Sequence, residues 1–339
     1  MVPRMLTTGH WLALILISVA LIFDFTNGFH DAANAVATVV ATKSLTPFQA
    51  VAMAATFNFV IMFFIPFNVA ATIGKGTVNP DSITLTVVFG CLAAAISWNV
   101  LTWWFGLPSS SSHALVGGLI GSAVTASNWD TVNVLGVTKI VVSIFAAPVV
   151  GFALGAGLNA VIRLGFARET SRHVAWYHRL QIASSAVYSM AHGSNDAQKT
   201  AGIIFLILVA AGVLPKDAEI PYIAVALCFA AMGLGTLSGG WRIIDTMARK
   251  LTHLNPRQGL AANVGGGVML FVASHFGIPV STTHTIAGAI MGVGTSEPGG
   301  SVQWGKATEI VAAWVLTIPC SAALGWAFYS ATAYLLATR

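Results

Sequence analysis

A chain of 339 residues in which 56% are hydrophobic and 8% charged, with a mean hydropathy of +0.80, carries far fewer charges than the roughly 25% of a soluble domain, which excludes a water-soluble globular protein. The formal net charge of +5 does not imply a nucleic-acid partner, because Lys and Arg gather between apolar runs, as orientation signals do in membrane proteins. Cys91, Cys228 and Cys320 stand singly in apolar runs without CxxC spacing, so they read as packing residues and not as a disulfide framework or a metal cluster.

Taken in order, the apolar runs of the first half fall at residues 11–42, 48–73, 83–105, 108–126 and 134–164. Runs of ~20 residues each suffice to span ~30 Å of hydrocarbon as a helix, and none alternates like a barrel strand. The opening run, 11–23, meets no small-residue cleavage site before Asp24, so it is expected to be an uncleaved first helix and not a signal peptide. The second half repeats the series at 181–214, 222–239, 260–276, 279–294 and 307–337. Because each set has an odd number of passes, the second enters the membrane from the opposite side. The expected fold is an all-α polytopic membrane protein of two inverted-topology repeats with broken helices or re-entrant hairpins, about 10–12 membrane segments in all. The repeats cover residues 1–162 and 181–339, joined by a basic linker, 163–180, with Arg163, Arg168, Glu169, Arg172 and Arg179. A second basic loop, with Arg242, Arg249, Lys250 and Arg257, ends on the same face, which makes that face cytoplasmic and leaves both termini outside.

Inside the first run, Gly28-Phe29-His30-Asp31-Ala32-Ala33-Asn34 sets an acid, an imidazole and an amide at membrane depth. A charge there costs a few kcal/mol or more and marks a pathway or a site. The stretch returns 165 positions later as Gly193-Ser194-Asn195-Asp196-Ala197-Gln198-Lys199-Thr200, with Asn195 over His30, Asp196 over Asp31 and Lys199 over Asn34. Two acids at equivalent points of a duplicated chain imply one shared site. A second element, G-[LI]-P-x-S-[ST]-[ST]-H-x-x-x-G, covers Gly106 to Gly117 and Gly277 to Gly288, an offset of 171. In each copy Pro108 or Pro279 breaks the preceding helix and hydroxyls gather where a new one starts. Unwound backbone at membrane depth is tolerated only where protein or a polar cavity satisfies it, and transporters put substrate there.

A helix N-terminus offers free N–H groups and the positive end of the dipole, and Ser or Thr adds hydroxyl donors. Two such tips, around Ser110, Ser111 and Ser112 and around Ser281, Thr282 and Thr283, would face one another and donate to a tetrahedral anion. Asp31 and Asp196 would repel that anion unless a cation sits between them, and this shared need is the physical basis of symport. Lys199 reads as a site residue. His113 and His284 read by default as satisfied residues bonding a neighbouring carbonyl, with direct ligation the rarer role. Asp24 reads as a helix cap near an interface as readily as a site residue, Glu309 beside Lys306 as a helix-end residue, and the glycines at 117–118 and 265–267 as close-packing contacts.

In these motifs the chain resembles the inorganic phosphate transporter (PiT) family, over nearly its whole length. Gly239-Gly240-Trp241-Arg242-Ile243-Ile244 adds to the likeness. The resemblance implies a secondary transporter in a bacterial cytoplasmic membrane that carries phosphate on a proton or sodium gradient. Carried over by motif, Asp31, Asn34, Asn195 and Asp196 belong to the ion and phosphate centre, and Ser110–Ser112 and Ser281–Thr283 contact phosphate. Outside that carry-over, Lys199 is expected to bind phosphate and His30 to serve proton coupling, with His113, His284 and Thr200 as secondary candidates. Sodium-coupled members carry Asn where this chain has His30 and Lys199. Imidazole and ammonium are not oxygen ligands, and His30 can take a proton near neutral pH, so proton coupling is expected over sodium. Asn263 stands where similar sequences often have Glu. The resemblance implies no resident metal or cofactor; a divalent metal travelling with phosphate as a neutral complex, and a homodimer in the lipid, are left open. Sulfate is the competing substrate and a channel or receptor the competing class. The absence of HExxH and G-x-S-x-G patterns speaks against an enzyme.

Overall fold

The computed structural model describes residues 8–66, 69–70, 78–79, 82–165, 170–278, 280–297 and 299–338. Pro279, Arg168, Glu169 and the end of the 48–73 run lie outside the described residues. The described chain is helical, with two isolated β-bridges and no named strand. The first half contributes α1 (Thr8–Ala41), α2 (Pro47–Val60), α3 (Leu85–Trp104), α4 (Ser111–Ala126) and α5 (Val134–Gly165). The second contributes α6 (Ser171–Ala210), α7 (Tyr222–Ser238), α8 (Trp241–Asp245), α9 (Pro256–His275), α10 (Thr282–Thr295) and α11 (Trp304–Ala337).

Local sequence sets the boundaries. Thr46, Thr170 and Asn255 close capping boxes with Gln49, His173 and Gln258, and Pro47 and Pro256 occupy the first turns of α2 and α9, where a missing N–H costs nothing. Four helices, Gly9–Ala41, Leu85–Trp104, Val134–Gly165 and Trp304–Ala337, are long and apolar enough to cross a membrane, and the pair Tyr222–Ser238 and Trp241–Lys250, bent by 61°, makes a fifth candidate. At 16 and 14 residues, α4 and α10 reach about 24 and 21 Å at 1.5 Å per residue, short of a full span.

Two expectations change. The stretch 163–180 is mostly helix, because α5 continues to Gly165 and Thr170 caps α6, leaving only a short connection. The second basic loop is helical too: α8 passes into a π-helical turn, Thr246–Lys250, Arg242 lies over the Trp103 and Trp104 rings, and Arg257 sits in the first turn of α9 paired with Glu297.

The halves pack reciprocally. α4 lies on α11 and α10 on α5, so each half's short helix is held by the long last helix of the other. Small residues permit the approach: a Cβ on Gly121 would stand 2.0 Å from the Ala322 carbonyl oxygen, and one on Gly292 2.2 Å from that of Phe152. Pro148 and Pro319 occupy equivalent points inside α5 and α11. The motif glycines have the same use: a Cβ on Gly28 would lie 2.1 Å from the Met232 carbonyl oxygen of α7, and one on Gly193 2.5 Å from that of Asn58 in α2. Two apolar cores flank the crossing of α1 and α6, one around Phe23, Leu92, Ile203 and Phe229, the other around Tyr188, Ile243, Met247 and Ile286.

Candidate functional site

Both broken elements fold alike. After α3, Gly106 turns the chain at φ 64°, and after α9, Gly277 does so at φ 65°, a left-handed conformation that glycine adopts without a Cβ penalty. Ser110 then caps α4 by accepting from the His113 N–H at 3.3 Å, and Ser281 caps α10 by accepting from the His284 N–H at 3.2 Å. The next two residues of each tip, Ser111 and Ser112 or Thr282 and Thr283, carry first-turn N–H groups that no helix satisfies internally.

These tips meet the two acids. Ser111 Oγ is within reach of Asp31 Oδ2 at 3.2 Å and of Asn27 Oδ1 at 2.6 Å, while Thr283 Oγ1 donates to Asp31 Oδ1 at 3.4 Å. Thr282 Oγ1 donates to Asp196 Oδ2 at 2.8 Å. Asn34 Nδ2 donates to Thr283 Oγ1 at 2.9 Å and Thr282 Oγ1 at 3.3 Å; its equivalent, Lys199, pairs with Asp196 and donates to Ser112 Oγ at 2.6 Å and the Val280 carbonyl at 2.9 Å. Thus Asn34 of the first half holds the second tip and Lys199 of the second half holds the first. All of these side chains are buried. Asp31, Asp196 and His192 each offer a ligand atom within 4.8 Å of the others, an arrangement able to hold a cation.

A model of the phosphate transporter family matches residues 27–325. The chain belongs to the phosphate transporter family. Among its relatives, the "Probable low-affinity inorganic phosphate transporter" of Rhizobium meliloti is 47% identical over 317 residues, 93% of this chain and 95% of that one. Its namesake in Bacillus subtilis is 41% identical over 318 residues, again 93% and 95%. A solved structure described as "The sodium-dependent phosphate transporter" superposes with a TM-score of 0.87 at 25% identity, covering 96% of this chain and 99% of that one. The chain is accordingly a multi-pass membrane transporter and not an enzyme, and its bacterial relatives imply the cytoplasmic membrane.

In this phosphate transporter, several residues singled out from sequence take other partners. His30 braces the acid, with Nδ1 2.7 Å from Asp31 Oδ1 and Nε2 3.0 Å from Thr102 Oγ1 and 3.4 Å from Ser109 Oγ, just before the first tip's cap. Asn195 donates to Ser274 Oγ at 3.1 Å and the Ile278 carbonyl at 3.4 Å. Thr200 donates to Asp24 at 2.8 Å. Ser110 and Ser281 spend their hydroxyls on their own helices. His113 and His284 face each other with ring centroids 4.9 Å apart, and His284 stacks on Trp314 at 4.1 Å. His284 has a carbonyl contact, Ile144 at 3.4 Å, as expected, whereas both ring nitrogens of His113 lack a partner. Asp24 is no helix cap: it sits midway along α1, fully buried. Asn263 accepts from Thr38 at 2.9 Å, tying α9 to the far end of α1.

Sequence reasoning missed Asn27, His192 and Tyr188. Asn27 shares Ser111 with Asp31; His192 stands 3.2 Å from Asp196 and 3.2 Å from Asn58; Tyr188 donates its hydroxyl to the Thr282 carbonyl at 3.1 Å. For Asn27 and His192 the signal was spacing, which Tyr188 lacked: Asp24, Asn27, Asp31, Asn34 and Thr38 recur every three or four residues, and Ser189, His192, Asp196 and Lys199 do so on α6, placing each set on one helix face.

Proposed function

We propose that the chain imports inorganic phosphate by proton-coupled symport, the anion held between the tips of α4 and α10. The observation that carries this reading is the reciprocal arrangement of Asp31 and Asp196 against Ser111, Thr282 and Thr283, with the Lys199 ammonium fixed beside Asp196. Four hydroxyls and two dipole ends attract a tetrahedral anion. Two carboxylates repel it unless positive charge enters as well, so neither phosphate nor its cation binds well alone. Protonated phosphate can also donate to a carboxylate, which sulfate has no proton to do.

Lys199 favours protons. Its ammonium occupies the neighbourhood of the second acid, where a sodium ion would need oxygen ligands, and the His30 imidazole lies against the first. A second reading, sodium coupling, draws support from the solved relative described as sodium-dependent. A divalent metal accompanying phosphate would find its ligands in Asp31, His192 and Asp196. The basic segments at 163–180 and 242–257 are assigned to the cytoplasmic face, and the repeats supply the two halves that rock or slide during alternating access.

The test is radiolabelled phosphate uptake into sodium-free proteoliposomes under an inward proton gradient, with and without magnesium, and with excess unlabelled sulfate. The expected result is accumulation that a protonophore abolishes and sulfate leaves intact. Accumulation only after sodium is added would move the coupling to the second reading.

A further inference from the structure

One buried acid stands apart from the paired site. Asp24 lies seven residues before Asp31 on the same face of α1 and is fully buried, with Thr200, Asn27 and the Cys228 thiol around its carboxylate. Its Oδ1 accepts from Thr200 at 2.8 Å, and its Oδ2 has no hydrogen-bond partner. The titratable groups facing it are Asp196 of α6 and the Cys228 thiol of α7; α2 carries none, and on α3 the Cys91 thiol donates to the Leu115 carbonyl instead. No cation pairs with Asp24 among the described residues. The equivalent position in the second half is Ser189, which merely donates to the Ser185 carbonyl, so this acid has no symmetry mate.

A fully buried carboxylate that faces a second acid and no cation is costly as an anion, and a bound proton removes the charge and lets the second oxygen donate. Among the described residues around the tips, Asp24, Asp31 and Asp196 are buried with the Lys199 ammonium, while buried Arg257 is taken up by Glu297, so an arriving anion needs additional positive charge. Asn27 stands beside Asp24 and accepts from Ser111, which also reaches Asp31, giving a short polar route between Asp24 and the tips.

We infer that Asp24 is a proton-carrying site of the transport cycle, separate from the phosphate cradle. This rests on the proton-coupled reading. The proton joins one carboxylate oxygen on one side of the membrane and leaves as the same proton on the other.

Two assays in sodium-free proteoliposomes separate the outcomes: phosphate–phosphate exchange at equal pH, and accumulation under an inward proton gradient. Asp24→Asn, which imitates the protonated acid, is expected to keep exchange and lose accumulation, and Asp24→Glu to recover it. Infrared difference spectra should show a protonated-carboxyl band in the wild type that Asp24→Asn removes. If the wild type accumulates phosphate on a proton gradient and Asp24→Asn does so equally, the inference fails while the coupling reading stands. If the wild type ignores the gradient, the coupling reading itself fails. An Asp24→Asn protein inactive in both assays is judged by Asp24→Glu: recovered accumulation supports a carboxyl proton, and continued inactivity overturns it.

Discussion

Asp31 and Asp196 do not touch each other's hydroxyl donors at random; each is held by a tip residue, and Lys199 and Asn34 cross to the opposite tip. Asp31→Asn and Asp196→Asn should therefore each abolish accumulation while leaving a folded protein, as judged by monodisperse elution in detergent. Normal transport by either would refute a paired site. Lys199→Asn should weaken proton-driven uptake and introduce a sodium requirement; unchanged affinity and coupling would reduce Lys199 to a packing residue. Thr283→Ala removes a hydroxyl from the cradle and should weaken phosphate binding by about 1.5–3 kcal/mol, the range for a hydrogen bond to a charged group, measured by competition with labelled phosphate. The acids, the hydroxyls and Lys199 were legible because charge and duplication single them out in an apolar chain. Asn195 and Thr200 take Ser274 and Asp24 as partners, since neighbours on a helix point about 100° apart and face different groups.

The broken helices show why short elements carry the site. α4 and α10 begin where a left-handed glycine and a serine cap reset the chain, and their closeness to α11 and α5 depends on Gly117, Gly121, Gly288 and Gly292. In α1 and α6, the motif glycines Gly28 and Gly193 fill the corresponding role against α7 and α2. Gly28→Ala and Gly193→Ala should each cost about 1–3 kcal/mol through overpacking and lower the midpoint of thermal unfolding. Gly157→Ala, with open space around its Cβ position inside α5, should leave the midpoint unlowered or raise it. The sequence marked the breaks through Pro108 and the hydroxyl runs. It hid the helical character of 241–250, because a run of basic residues reads as a loop when nothing says that Trp103 and Trp104 stack under Arg242.

Across the whole molecule, matching helices of the two halves exchange partners, α4 on α11 and α10 on α5, yet the two sides of the site differ. A cavity of about 370 Å3, lined by Ser194, Gln198, Ser274, His275 and Phe276, opens beside Asn195. If access alternates, Ser274→Cys should react with a membrane-impermeant thiol reagent from one side of oriented vesicles, and phosphate under a proton gradient should change the rate. Equal labelling from both sides at every stage would rule out alternating access through this cavity. Cys91 and Cys228 are buried, and the half-buried Cys320 is first changed to Ser to keep the background low. The duplication was readable from motif offsets alone, whereas the cavity depends on how α6, α9 and the Ile65–Pro66 stretch come together, which no local pattern encodes. The most direct measurement records labelled phosphate and internal pH together in sodium-free proteoliposomes of the wild type and of Asp196→Asn. Phosphate entering with acidification in the wild type, and neither change in the variant, is the predicted result. Phosphate entering without acidification, or equally in the variant, would contradict proton-coupled transport through the paired acids.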